Sequence, residues 1–300
     1  MGAAYRRPLG PTARAVVAGG AALATALLRR GERSLTDLVE SALTLDLRTR
    51  LHGDADGAVV LLSPHLDDAV LSCWSVLTGP GDVRPVNVFA GSPRPGFVTD
   101  VDRICGATDS ATHMAERRAE DAEALALAGR TPTNLPFLDR QYRGPREPFS
   151  LRRLDAAVAS AVGPVAELYA PAALGGGHTD HRLVRRLARA ASAAGIRVRL
   201  YADLPYAVAF GWPHWVAGGP LEPRRVVDAY WAPLLRSVPE IRALGDARVV
   251  RLTSEQAGQK LAAMRTYRTQ LPALDAGPAG VLSNPAVHGF EVFWDLEQAG

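Results

Sequence analysis

Short apolar runs alternate with helix-patterned stretches along most of this chain. Val59–Leu62, Arg84–Ala90, Thr133–Leu138, Val165–Pro171 and Val198–Tyr206 are rich in β-branched and apolar residues and read as strands. Between them, Ala69–Trp74, Ala115–Gly129, Leu151–Val162 and Arg182–Ala194 carry a helical spacing, with Gly129 as a C-terminal stop. Ser254–Gln270 reads as the last long helix, and Val226–Trp231 and Phe290–Trp294 as further extended segments. This alternation predicts parallel βαβ units. The expected fold is α/β: a Rossmann-like, mostly parallel sheet with helices on both faces, in a single domain. In such sheets ligands bind at the carboxyl ends of the strands.

Two stretches depart from that rhythm. Ala15–Leu28 is apolar but shorter than the ~20 residues that span a bilayer. Arg6-Arg7 ahead of it suits a leader, but Arg29-Arg30 closes the run and no Ala-x-Ala site follows, so a soluble helix is expected, then a second over Ser34–Thr49. Residues 1–55 are thus expected as an N-terminal helical extension and 56–300 as the main domain. Gly91–Thr112 is a long Gly/Pro-bearing connection near the strand ends, a candidate lid.

Composition narrows the function classes. Basic residues number 34 against 31 acidic, a formal charge of +3, with no basic stripe interleaved with aromatics. A nucleic-acid partner is therefore not expected. Lys260 is the sole lysine, and Arg, Ala, Gly and Pro are abundant, the bias of a GC-rich genome. Cys73 and Cys105 form neither a disulfide framework nor a Cys-x-x-Cys pair, which suits a reducing cytoplasm. Stable membrane insertion is not expected, and a homo-oligomer remains open.

The chemistry gathers where Val59–Leu62 ends. Ser63-Pro64 breaks the strand, and His65, Asp67 and Asp68 follow at once. His65 and Asp68, three apart, suit zinc or a similar divalent ion such as Fe2+, with Asp67 free to act as a base toward water. Alone, such a stretch is more often a helix N-cap, from Asp67 or Asp68, with a solvated histidine. A catalytic zinc site needs about three protein ligands. Gly175–His181 repeats the logic: strand, tight turn, two histidines and an aspartate, then helix.

Pro64-His-Leu-Asp-Asp-Ala69 together with His178-Thr-Asp-His181 resembles the PIG-L/LmbE zinc-dependent de-N-acetylases, from about Val59 onward. The resemblance implies zinc held by His65, Asp68 and His181, Asp67 as general base, His178 at the developing oxyanion and then at the leaving amine, and Asp180 tuning His178. It implies substrate contacts from Arg117 (in Arg117-x-x-Glu120) and, at the pocket rim, Asp203 and Tyr206. Lys260 and Tyr267-x-x-Gln270 resemble the family's C-terminal pattern, and Glu291 reads as structural. Leu66 stands where relatives carry Pro, and Ala69 where they carry Glu. The implied substrate is a small N-acylated amino sugar of N-acetylglucosamine type. Alternatives are an amidase acting on a thiol conjugate, a silent carbohydrate- or partner-binding relative, and a membrane-associated lipid-sugar deacetylase. Trp212 and Trp215 suit either a sugar stack or the core.

Overall fold

The computed structural model describes residues 53–144, 150–176, 178–218, 221–241, 247–275, 282 and 284–296. The helices expected at 15–28 and 34–49 lie outside the described residues. In chain order the elements are β1 (Gly53–Ser63), α1 (Asp68–Ser72), α2 (Trp74–Leu77), β2 (Val83–Asn87), α3 (Asp100–Ile104) and α4 (Ser110–Ala126). There follow β3 (Thr133–Asn134), α5 (Leu151–Val162), β4 (Val165–Pro171), α6 (Thr179–Ala193), β5 (Arg197–Tyr201) and α7 (His214–Ala217). The last elements are α8 (Leu221–Arg236), β6 (Ala247–Arg251), α9 (Ser254–Met264), α10 (Leu271–Leu274) and β7 (Phe290–Asp295).

Among the described residues the strands form one sheet in the order β3-β2-β1-β4-β5-β7-β6. The first five are parallel; β7 and β6 are added antiparallel at the far edge. Val60, Leu61 and Leu62 of β1 are buried, as the central strand of a parallel sheet covered on both faces requires. β1 and β4 are parallel neighbours, with Leu61 opposite Tyr169. Their carboxyl ends therefore open at the same edge, and the two motifs follow directly from them. Gly175, between β4 and α6, has φ +68, and a Cβ there would stand 2.5 Å from Leu234 Cδ2. The positive φ favours glycine, and a side chain there would also have to displace the tip of Leu234.

Four expectations are corrected. Val226–Trp231 is not a strand but part of α8. The Val226-Val227 pair misleads; Trp231 and Leu235 are buried four residues apart while Val226 is exposed, a helical spacing. Thr133–Leu138 pairs as a strand only at Thr133–Asn134, with one further bridge at Pro136, whose ring removes a donor from any ladder. The connection from Gly91 is not structureless: it holds α3, capped by Thr99, and ends at Asp109, which caps α4. The long helix from Ser254 stops at Met264. β6 was not foreseen in the sequence reading; its faces are only half buried, so its pattern is weak.

Trp212 and Trp215 belong to the core and not to a sugar platform. Trp212 stacks on Trp231 at 5.6 Å, and its indole N–H donates to the Val287 carbonyl. Trp215 meets Trp231 edge-on at 5.9 Å. Among the described residues no helix is long and apolar enough to cross a membrane.

Candidate active site

The turn after β1 is set by its own side chains. Ser63 Oγ donates to the His65 carbonyl (2.6 Å) and accepts the Ala69 amide (3.1 Å). Asp68 Oδ2 accepts the His65 amide (2.8 Å), and neither Asp67 nor Asp68 caps α1 with its side chain. Leu66 is fully buried against Ala90, Met114 and Tyr142, and its carbonyl accepts from Gln270 Nε2 (2.9 Å). That packing is what the leucine side chain adds to the turn. Behind the turn, Glu291 of β7 accepts the amides of Trp74 and Ser75 and the Lys260 ammonium, a structural clasp.

His65, Asp68 and His181 converge. Asp68 Oδ2 is 3.5 Å from His65 Nδ1 and 3.4 Å from His181 Nε2. The second nitrogen of each ring faces another carboxylate. His65 Nε2 is 3.3 Å from Asp180 Oδ2, and His181 Nδ1 is 2.7 Å from Asp203 Oδ1. Two histidines, each backed by a carboxylate and turned toward a shared carboxylate oxygen, form a donor set that suits a divalent metal. His181 Nε2 is buried without a hydrogen-bond partner, as a nitrogen reserved for a metal would be.

A second set, His65, Asp139, His178 and Asp180, is also close enough to share an ion. It fits less well. Asp180 already takes the Arg143 guanidinium on Oδ1 and the Arg140 amide on Oδ2 (2.8 Å). Both of its oxygens are therefore already engaged by donors.

Electrostatics follow from this crowd of carboxylates. Burial lowers the pKa of His65, but Asp139, Asp180 and Asp68 together raise it well above the imidazole range. Burial lowers that of His181 too, while Asp68 and Asp203 bring it up to about 9. Asp68 is pushed up by burial and pulled further down by His181 and His65, so it is held ionised. A site that draws protons onto both histidines attracts cations, and a metal bound there would displace those protons. Asp67 differs: burial and the neighbouring Asp68 raise it to about 6.

His178 sits at the N-cap of α6, where its Nδ1 accepts the Asp180 amide (3.3 Å). The sequence implies that Asp180 holds His178 with its carboxylate. In the structure the backbone amide does so, and the carboxylate Oδ2 stands farther off, at 3.9 Å, turned to His65 and the Arg140 amide. Because Nδ1 accepts, the neutral ring carries its proton on Nε2. Burial, then the charge on His65, lowers the His178 pKa, so that neutral form prevails.

A pocket of about 230 Å3 opens over the cluster, with His65, Asp67, Asp68 and His178 in its wall. Arg117 and Tyr206 also line it. Arg117 donates to Gln270 Oε1 (2.5 Å) and stands 4.0 Å from Asp139. Tyr206 is 42% exposed, its ring edge-on to His181 at 5.4 Å. Asp203 is not at the rim, as the pattern implies, but buried behind His181. Sequence reasoning missed Asp139 and Arg143. The position of Asp139 just past a strand-like segment was a usable signal; Arg143 gave none.

No family model matches the chain. The 2'-N-acetylparomamine deacetylase of Streptomyces fradiae is 31% identical over 175 residues, covering 54% of this chain and 61% of that protein. The match thus spans less than two thirds of that relative. Among solved structures, the A40926 pseudoaglycone deacetylase superposes with a TM-score of 0.60 at 27% identity, covering 82% of this chain and 99% of that one. The chain is similar to deacetylases. The zinc inhibited form of teicoplanin deacetylase gives a TM-score of 0.59 at 25% identity, over 81% of this chain and 98% of that one.

Proposed function

We propose that this chain is a zinc-dependent hydrolase of the PIG-L/LmbE type that removes the acetyl group from an N-acetylated amino sugar conjugate. The observation that carries the reading is the convergence of His65 Nδ1 and His181 Nε2 on Asp68 Oδ2, in a pocket whose wall also holds Asp67 and His178. The likeness to deacetylases supports the acyl group, and the relative named for 2'-N-acetylparomamine supports the amino sugar. At about 230 Å3 the pocket suits one sugar unit, with the rest of a conjugate outside.

His65, Asp68 and His181 would hold the zinc, which when bound would act as a Lewis acid toward the amide carbonyl and water; Fe2+ would suit the same donors. Asp67 takes the proton of the attacking water. Raised to about 6, it is ionised at neutral pH yet basic enough to hold that proton. His178 Nε2–H donates to the carbonyl oxygen as it becomes negative, a contact worth ~3 kcal/mol. The water oxygen bonds to the acyl carbon, the C–N bond breaks, and a proton passes to the nitrogen. Acetate and a free amine leave. Arg117 and Tyr206, on the pocket wall, hold the sugar. The whole set lies within the domain expected at 56–300, which we take as the catalytic domain; its first strand already starts at Gly53, so the extension ends before that residue.

The test is acetate release from a panel of N-acetylglucosaminides by zinc-loaded and by chelated protein. Release with zinc, loss on chelation and recovery on adding zinc back are expected. Zinc-bearing protein that releases acetate from no member would defeat the reading.

A further inference from the structure

We propose that Asp102 is a specificity-determining residue, accepting a hydrogen bond from a hydroxyl or ammonium group on the substrate away from the reacting acetamide. This deepens the deacetylase reading above and rests on it.

Asp102 lies on α3, in the connection between β2 and α4, and lines the same pocket as the histidine cluster, outside the set of groups close enough to share a metal. It is 1% exposed. Its Oδ2 is satisfied twice, by Ser110 Oγ–H (2.5 Å) and by Tyr142 O–H (3.0 Å). Its Oδ1 is not. Among the described residues its neighbour is His113 Nε2 at 3.8 Å, beyond hydrogen-bond reach. Burial, the largest influence on His113, takes its pKa below the ordinary range, so the ring is no charged partner for this oxygen. The side chain is nearly enclosed and no donor among the described residues stands within hydrogen-bond reach of Oδ1, so its partner has to come from outside the protein. Here the missing donor has a route in: the pocket. A carboxylate oxygen accepts, and the donors an amino sugar offers away from its acetamide are hydroxyl and ammonium groups. The two oxygens thus divide the work. Oδ2 fixes the side chain to α4 and to Tyr142, and Oδ1 faces the ligand.

The experiment compares zinc-loaded wild type with Asp102→Asn on methyl N-acetylglucosaminide, its 3-, 4- and 6-deoxy analogues, and a 6-amino analogue. One deoxy analogue should lower wild-type kcat/KM by about tenfold or more, the scale of a hydrogen bond to a charged group. Asp102→Asn should lose a like factor on the parent and nothing further on that analogue. If instead the 6-amino analogue is the preferred substrate of wild type alone, the bound group is the ammonium. Ser110→Ala, which removes a donor from Oδ2 and leaves Oδ1 in place, should keep the discrimination. The proposal is overturned if Asp102→Asn matches wild type on every compound, or falls by one common factor on all of them, as loss of a purely structural anchor would. Wild type that releases no acetate from any compound overturns the deacetylase reading, and the subsite with it.

Discussion

Asp203 Oδ1 lies 2.7 Å from His181 Nδ1, and the other nitrogen of that ring faces Asp68. The carboxylate fixes the ring's orientation and tautomer from behind. Asp203→Ala should therefore weaken zinc binding about 10–100-fold, read by titration against a chelating dye. Far-UV circular dichroism should be unchanged. Wild-type zinc affinity in this variant would show that His181 is held by something else.

Asp180 stands in the same relation to His65, at 3.3 Å from Nε2, while its amide alone holds His178 Nδ1. Asp180→Asn keeps the amide and loses the charge opposite Arg143 and His65. Zinc affinity should fall about 10–100-fold as well. A variant with normal zinc affinity and only a lowered kcat would restore the link from the Asp180 carboxylate to His178.

Asp67 is the contrasting case, since it lines the pocket without facing either histidine nitrogen as Asp68 does. Asp67→Asn should bind zinc normally and lose about 10²–10⁴-fold in kcat, the contribution of a positioned base. Metal content by mass spectrometry and turnover on the same sample decide it. Loss of zinc together with activity would make Asp67 a ligand.

What could be read from sequence was local. His65, Asp67 and Asp68 share one turn, and His178, Asp180 and His181 another, each just past an apolar strand, so spacing placed them together. The direction each carboxylate faces was not legible. Asp180 turned to His65, and Asp203 retreated behind His181, because those choices depend on Arg143 and on the packing of β5. Arg143 comes from an irregular segment with no periodicity, and Asp102 from a helix of 5 residues, too short to show one, so only Asp139, just past a strand-like segment, had a signal pointing to the pocket wall. In α8, paired β-branched residues hid a helical period that only burial of Trp231 and Leu235 exposes.

Lys260 and Glu291 form a fully buried ion pair, Nζ to Oε1 at 2.9 Å, and Glu291 also caps Trp74 and Ser75. Lys260→Met removes the only ammonium and leaves that carboxylate buried. Such a loss costs about 3–5 kcal/mol. Urea denaturation should show it as a lower midpoint at unchanged slope. A midpoint equal to wild type would mean that the two amides and the Ser75 hydroxyl suffice to hold the charge.

Asp121, one turn beyond Arg117 on α4, carries a pH dependence of its own. Burial raises its pKa to about 7 against the hydrogen bonds from Tyr267 O–H (2.8 Å) and Asn87 Nδ2 (2.6 Å), which oppose the shift. Between about pH 4 and 7 the folded protein keeps a proton here that the unfolded chain gives up. Its contribution to stability is complete at low pH, falls as pH rises through that window, and is constant above it. The span is on the order of 4 kcal/mol. Asp121→Asn mimics the protonated form at every pH. The unfolding free energy of wild type minus that of Asp121→Asn should therefore decline between pH 4.5 and 7.5, and a difference that is flat or rises over this range would mean that Asp121 is ionised in the folded protein.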